Sequence, residues 1–216
     1  MNVGAAERCA VLIPARDEAE RIGAVVAAAV AAGCGPVLVV DDGSRDGTAE
    51  VAAMAGARVL ELPRNVGKGG AVAAGAADLR SEVVVLLDAD LTGLRPAHVR
   101  ALAAPVLRGE VAMTRGVFRG ARWATSTAQR LAPQLGGQRA LRRADLVALP
   151  GLAGSRFGVE ILLTDAARRH DWPWIDVPLE GVGQVMKEEK RGWWVGLRAR
   201  AAMYRDIALS WWRARR

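Results

Sequence analysis

The chain has 216 residues, 51% of them hydrophobic, enough for one domain with a full core and incompatible with a disordered polypeptide. Thirty Lys and Arg against 23 Asp and Glu leave a net charge of +7, which suits phosphates, acidic lipid or nucleic acid without choosing among them. Only Cys9 and Cys34 are present, which excludes a disulfide scaffold; two buried thiols in a reducing compartment are expected. The N-terminus lacks a basic region followed by an apolar one, so no secretory leader is expected.

The first hundred residues alternate between apolar runs and Ala-rich periodic segments. The pattern predicts strands at Cys9–Ile13, Val37–Val40, Arg58–Leu62 and Val83–Leu87. Helices are predicted between them at Ala19–Ala32, Thr48–Ala55 and Gly70–Leu79. This β-α-β-α order implies parallel strands with right-handed crossovers. The uncharged stretch Ile22–Val40 is long enough to suggest a membrane span, but Gly33-Cys-Gly-Pro36 breaks it into a helix and a strand. A helix is expected over Pro96–Leu107, with Pro in its first turn, and a strand over Glu110–Thr114. Arg115–Arg143 is rich in Arg and Gly and reads as loops and short helices; Arg156–Arg169 reads as a helix.

From Trp193 one helical stripe carries Trp193, Leu197, Ala201, Tyr204, Ala208 and Trp211, with Arg198, Arg205 and Arg213 off it. Four of the seven Trp fall in this segment, and aromatic rings beside Arg suit a bilayer headgroup boundary. Docking on the domain, or on a second copy as a homodimer surface, is the equal alternative. The expected organisation is a domain over residues 1–192 and a Trp/Arg helix over residues 193–216.

Two acidic pairs carry the chemistry. Asp41-Asp-Gly-Ser-Arg-Asp-Gly-Thr48 follows the run Pro36–Val40, and Asp88-Ala-Asp90 follows Val83–Leu87. Alone, an Asp-x-Asp after a strand is a common solvated turn. Two such junctions on neighbouring strands, with Asn65-Val-Gly-Lys-Gly-Gly-Ala71 between them, point to a nucleotide site at the strand ends. Carboxylate oxygens suit Mg²⁺ or Mn²⁺, which would hold a donor diphosphate and neutralise charge as it leaves. Lys68 and the following helix N-terminus could face an anion. No Walker loop and no G-x-G-x-x-G is present, which disfavours kinases and dinucleotide enzymes. A nucleotidyltransferase would want a Gly-rich loop near the first strand, and none is there. A non-catalytic basic scaffold remains the reading from another class, although acidic pairs at strand ends would repel nucleic acid unless a metal intervened.

The order of Ile13-Pro-Ala-Arg-Asp-Glu18, Val40–Thr48, Asn65–Ala71 and Asp88-Ala-Asp-Leu91 resembles family 2 glycosyltransferases of the GT-A fold, over roughly residues 8 to 115. The resemblance implies an α/β, Rossmann-like fold with a mainly parallel central sheet. It also implies a nucleoside-diphosphate sugar, UDP- or GDP-linked, and a divalent metal. Pro14, Ala15, Arg16 and Glu18 would line the nucleoside pocket, with Asp41 and Asp42 near the base and Lys68 by the base or diphosphate. Asp88, with Ala89 beside it, would face the ribose or sugar, and Asp90 the metal.

Gly137-Gln-Arg-Ala-Leu-Arg-Arg143 and Gly158-Val-Glu-Ile-Leu-Leu163 are similar to segments of polyprenyl-phosphate sugar transferases. The Gly-Val-Glu stretch is also similar to one in glucosyl-3-phosphoglycerate synthases. Either acceptor carries a phosphate, for which Arg119, Arg122, Arg139 and Arg142 are candidate ligands, with at least half of them expected to be merely exposed. The Thr-Glu-Asp motif of many inverting relatives is absent, which leaves Glu160 as the candidate base; an ionised acceptor phosphate would need none. Relatives with a histidine metal ligand would carry it near residue 184, where this chain has Gln184. His98 and His170 read as structural. The leading expectation is a cytoplasmic enzyme, peripheral at the inner membrane face, acting on a polyprenyl phosphate. A soluble phosphoglycerate-type acceptor is the alternative, and nucleic acid is not an expected partner.

Overall fold

The computed structural model describes residues 8–119, 137–155 and 158–184. Arg122 and the Trp/Arg segment from residue 193 lie outside the described residues, and so does the expected boundary at residue 192.

The expected alternation is present. Strands β1 (Cys9–Ala15), β2 (Val37–Asp41), β3 (Arg58–Glu61) and β4 (Val83–Leu86) are joined by α1 (Ala19–Ala32), α2 (Thr48–Met54) and α3 (Lys68–Asp78). A two-residue strand β5 (Leu91–Thr92) and helix α4 (Pro96–Leu107) follow. Then come β6 (Met113–Arg119), β7 (Arg139–Arg142), α5 (Arg143–Val147), α6 (Val159–Arg169), β8 (Trp174–Glu180) and β9 (Gly183–Gln184).

The seven-stranded sheet has the order β3-β2-β1-β4-β7-β6-β8, and β5 pairs with β9 separately. β1 to β4 pair in parallel; β7 runs antiparallel to both β4 and β6, and β6 pairs in parallel with β8. All but β7 therefore point the same way. From β1 the chain builds outward through β2 to β3, then returns to place β4 on the other side of β1. That reversal opens a crevice beyond the carboxyl ends of β1 and β4, where open α/β sheets hold ligands.

Alternation along each strand divides the core. Val11 and Ile13 of β1, Val37 and Val39 of β2, and Val83 and Val85 of β4 pack against α1 and α4 through Ile22, Val26, Val99 and Leu102. Ala10, Leu12, Leu38, Val40, Val84 and Leu86 face the other way, toward Val72 of α3, Leu146 of α5 and Leu163 of α6. Strands buried on both faces read as continuous apolar runs, which made β1, β2 and β4 visible in the sequence. Gly33 ends α1 at φ 64 with its amide donating to Val30 O, so Ile22–Val40 is a helix and a strand. Among the described residues no helix is long and apolar enough to cross a membrane. Cys9 is buried and Cys34 half-buried, both free thiols; burial pushes the Cys9 thiol up to about 12.

The second half departs from the sequence reading. The strand expected at Glu110–Thr114 is instead Met113–Arg119, and β7 lies inside the segment read as loops and short helices. β8 was not foreseen at all. It carries Asp176, Pro178 and Glu180, which weaken a strand pattern, yet as an edge strand it tolerates proline and charge.

Candidate active site

The first side of the crevice is a laced pair of loops. Asp17, at φ 52, donates its amide to Ser44 Oγ at 2.9 Å and accepts from the Arg45 amide at 3.0 Å. Glu18 N–H donates to Thr48 Oγ1, and Ala19 N–H to Asp46 Oδ2. Pro14 and Ala15 end β1 beside Val40 and Asp41, while the Arg16 side chain is about half exposed beside Asp17. Asp41 Oδ1 accepts from the Ser44 amide at 3.0 Å and from its hydroxyl. Asp42 takes the amides of Val66 and Gly67 on its two oxygens, at 2.6 and 2.9 Å. The paired carboxylates thus build loops; Asp42 in particular sets the turn that delivers Lys68 to the start of α3.

Lys68 joins the two halves of the domain. Its Nζ donates to Asp88 Oδ1 at 2.6 Å and to Glu160 Oε1, on the first turn of α6. Burial opposes the ammonium charge, but Asp88 and Glu160 outweigh it and push the Lys68 pKa well above the usual lysine range. Asp88 Oδ2 accepts from Gln138 Nε2 at 2.8 Å and from Gln184 Nε2 at 3.2 Å. The same Gln184 nitrogen donates to Asp90 Oδ1 at 2.7 Å. Asp88, Ala89, Asp90 and Glu160 are all buried. A Cβ on Gly137 would stand 2.3 Å from Asp88 Oδ2, so glycine there lets the β7 approach reach this carboxylate. A small, largely enclosed pocket lies at this point, lined by Pro14, Lys68, Asp88, Gly137, Arg139 and Glu160.

The four arginines considered as acceptor ligands separate by position. Arg139 is fully buried: it donates to Glu160 O at 3.1 Å and to Thr164 Oγ1 at 2.9 Å, and contacts Met113 Sδ at 3.5 Å. Burial pushes its guanidinium down to about 10, with Glu160 opposing that shift. It pins the N-terminal turn of α6, which carries Glu160, and is no surface ligand. Arg142 is three residues further along β7, paired with Val83 at the start of β4, whereas Arg139 pairs with Leu86 at its end. The register therefore carries exposed Arg142 to the opposite edge of the sheet from the crevice. Arg119 is exposed at the carboxyl end of β6, on the crevice side, and is the described arginine that remains available.

Gln138, Gln184 and Thr164 were not among the expected site residues. Gln138 directly follows Gly137, but an uncharged amide gives no motif signal. Gln184 stands where relatives with a histidine ligand would carry it, and an amide there gives no metal signal of its own.

The donor set fits a hard divalent cation. Asp90 offers a carboxylate and Gln184 an amide beside it. Gln138, fully buried, has an Oε1 with no hydrogen-bond partner among the described residues. No group of three or more His, Cys, Asp or Glu that could hold a metal occurs among the described residues, so a cation here would rest on amide and diphosphate oxygens as well as carboxylate.

Residues 10–161 match the family model described as Glycosyl transferase family 2. The chain belongs to this family. A curated relative, a glucosyl-3-phosphoglycerate synthase from Mycolicibacterium paratuberculosis, is 37% identical over 110 residues, 46% of this chain and 33% of the relative. A dolichyl-phosphate beta-glucosyltransferase from Trichomonas vaginalis is 42% identical over 59 residues, 25% of this chain and 18% of the relative. The matches thus span a third or less of these two proteins. Glucosyl-3-phosphoglycerate synthase from Mycobacterium tuberculosis, solved with Mn²⁺, UDP-glucose and phosphoglyceric acid, superposes with a TM-score of 0.77 at 28% identity, covering 95% of this chain and 79% of that one. The same enzyme has been solved with Mg²⁺ and UDP. The family 2 fold therefore accounts for the order of the central sheet.

Proposed function

We propose that this family 2 chain is a glycosyltransferase that moves a sugar from a UDP-linked donor to a small phosphorylated acceptor of the phosphoglycerate type, with Mg²⁺ or Mn²⁺. The observation that carries the reading is the convergence of Lys68, Asp88, Glu160 and Asp90 at the carboxyl ends of β1 and β4. Similarity to glucosyl-3-phosphoglycerate synthase over most of the chain supports the soluble acceptor, which moves it ahead of the polyprenyl phosphate favoured by the sequence alone. The shorter match to the dolichyl-phosphate enzyme keeps the lipid acceptor as the second reading. Membrane contact, a homodimer and a cytoplasmic location at the inner membrane face remain part of that second reading.

The chain's own groups divide the work. The loops of Asp41 and Asp42 shape the nucleoside end. Lys68 and the N-terminus of α3 offer positive charge to a diphosphate. Asp88, fixed by Gln138 and Lys68, orients the donor. Glu160, which accepts from Lys68 Nζ, is the candidate to take a proton from an acceptor hydroxyl, and exposed Arg119 is the candidate for an acceptor phosphate. Asp90 would hold the divalent cation, which would supply positive charge for a departing nucleoside diphosphate.

The test is UDP release from UDP-glucose with Mn²⁺ or Mg²⁺, alone and with 3-phosphoglycerate, glycerol 3-phosphate or a polyprenyl phosphate. Release stimulated by 3-phosphoglycerate supports the leading reading. Stimulation by the lipid alone selects the second, and silence with no UDP binding by calorimetry overturns both.

A further inference from the structure

Gln184 occupies the place between the two carboxylates of the Asp88–Asp90 turn. Its Nε2 donates to Asp90 Oδ1 at 2.7 Å and to Asp88 Oδ2 at 3.2 Å. An amide nitrogen in that position supplies the partial positive charge that a cation would otherwise bring. The backbone beneath it is fixed, because β9 pairs with β5 and sets Gln184 opposite Leu91. The side chain is not locked: its terminal torsion is broad, and a half-turn exchanges the nitrogen for the carbonyl oxygen.

Asp88 is engaged differently. Lys68 holds its Oδ1, and Gln138 shares its Oδ2, so those donors keep it out of cation ligation. Gln138 Oε1 has no donor among the described residues although the residue is fully buried. A buried carbonyl in that condition calls for a hydrogen donor, and a cation's water is one.

We infer that Gln184 is a cation ligand by exchange. Without cation its amide nitrogen bridges Asp90 and Asp88; with cation the amide turns and presents Oε1 beside Asp90, completing a donor set made only of oxygen. The inference rests on the metal-dependent reading above and deepens it, since an all-oxygen set favours Mg²⁺ relative to a set that includes an imidazole.

The experiment measures Mn²⁺ and Mg²⁺ binding to the full chain with UDP, by calorimetry and by Mn²⁺ electron paramagnetic resonance, for the native protein and for Asp90→Asn, Gln184→Leu, Gln184→Glu and Gln184→His. Expected are about tenfold weaker binding of both cations in Gln184→Leu, tighter binding in Gln184→Glu, and a preference shifted toward Mn²⁺ in Gln184→His. Gln184→Glu is the second arm should Gln184→Leu fold poorly. It sets three carboxylates together and lowers the melting temperature without cation, and added Mn²⁺ restores it. If Gln184→Glu binds cation more weakly and cation does not restore its melting temperature, the side chain at 184 does not reach the cation, which overturns the inference. Native affinity in Gln184→Leu with binding lost in Asp90→Asn overturns it too and leaves the proposed function standing. Absence of cation binding by the native chain overturns both.

Discussion

Lys68 Nζ lies 2.6 Å from Asp88 Oδ1 and at the same time reaches Glu160 Oε1, 92 residues further along the chain. One ammonium thus ties α3, the turn after β4 and α6 into a single charged cluster. Removing it leaves two largely buried carboxylates facing each other. Lys68→Met is expected to cost about 3 kcal/mol of stability and to abolish UDP binding. Urea denaturation at neutral pH measures the first; a loss below about 0.5 kcal/mol would show that solvent already screens the cluster.

Gly137 should be intolerant of any side chain for a local reason. Alanine there would put a Cβ 2.3 Å from Asp88 Oδ2 and 2.7 Å from its Cγ. The carboxylate can retreat only by leaving Gln138 and Lys68. Gly137→Ala is expected to lower stability by about 1–3 kcal/mol and to weaken donor binding more than tenfold. Calorimetry with UDP-glucose beside a thermal melt checks both; unaltered donor affinity would mean Asp88 does not orient the donor.

Arg139 and Arg119 should behave as opposites. Arg139→Met removes donors from Glu160 O and Thr164 Oγ1 inside the core, with an expected loss of about 2 kcal/mol or more. Arg119→Ala, at an exposed strand end, should leave the melting temperature within a degree or two and raise KM for a phosphorylated acceptor. Steady-state kinetics with 3-phosphoglycerate decides. If Arg139→Lys instead raises acceptor KM and leaves the melting temperature unchanged, Arg139 reaches the acceptor after all.

His98 gives the fold an acid sensitivity. Burial first, then the Arg95 guanidinium, hold its imidazole below the usual histidine value, and its Nδ1 accepts the Arg95 amide at the start of α4. The unfolded chain takes up this proton near pH 6.5, before the folded chain does. Between the two values the unfolded state binds more protons, so stability falls as pH drops through that window, and the full contribution is present above it. Melting curves from pH 8 to 5 should show this slope in the native protein and a flatter one in His98→Gln, whose amide oxygen can still cap the helix. Equal slopes would exclude His98 as the cause.

The sequence by itself determined what short windows encode. Apolar runs buried on both faces marked β1, β2 and β4, and periodic Ala-rich segments between breakers marked α1 to α4. The acidic and Gly-Lys-Gly turns marked the crevice, because turn chemistry and strand ends are local properties. Tertiary structure decided the rest. β6 and β8 are stabilised by each other, far apart in sequence, and their Arg, Gly, Pro and acidic residues hide the strand period. Arg139 and Arg142 look interchangeable three positions apart, yet the β4–β7 register buries one beneath Glu160 and sends the other to the opposite edge. Gln138 and Gln184 gave no motif signal, since an amide gains its role only from the carboxylates the fold brings to it. Hydrogen bonds and charge pairs between distant residues exist only once the chain has closed on itself, so those assignments belonged to the structure.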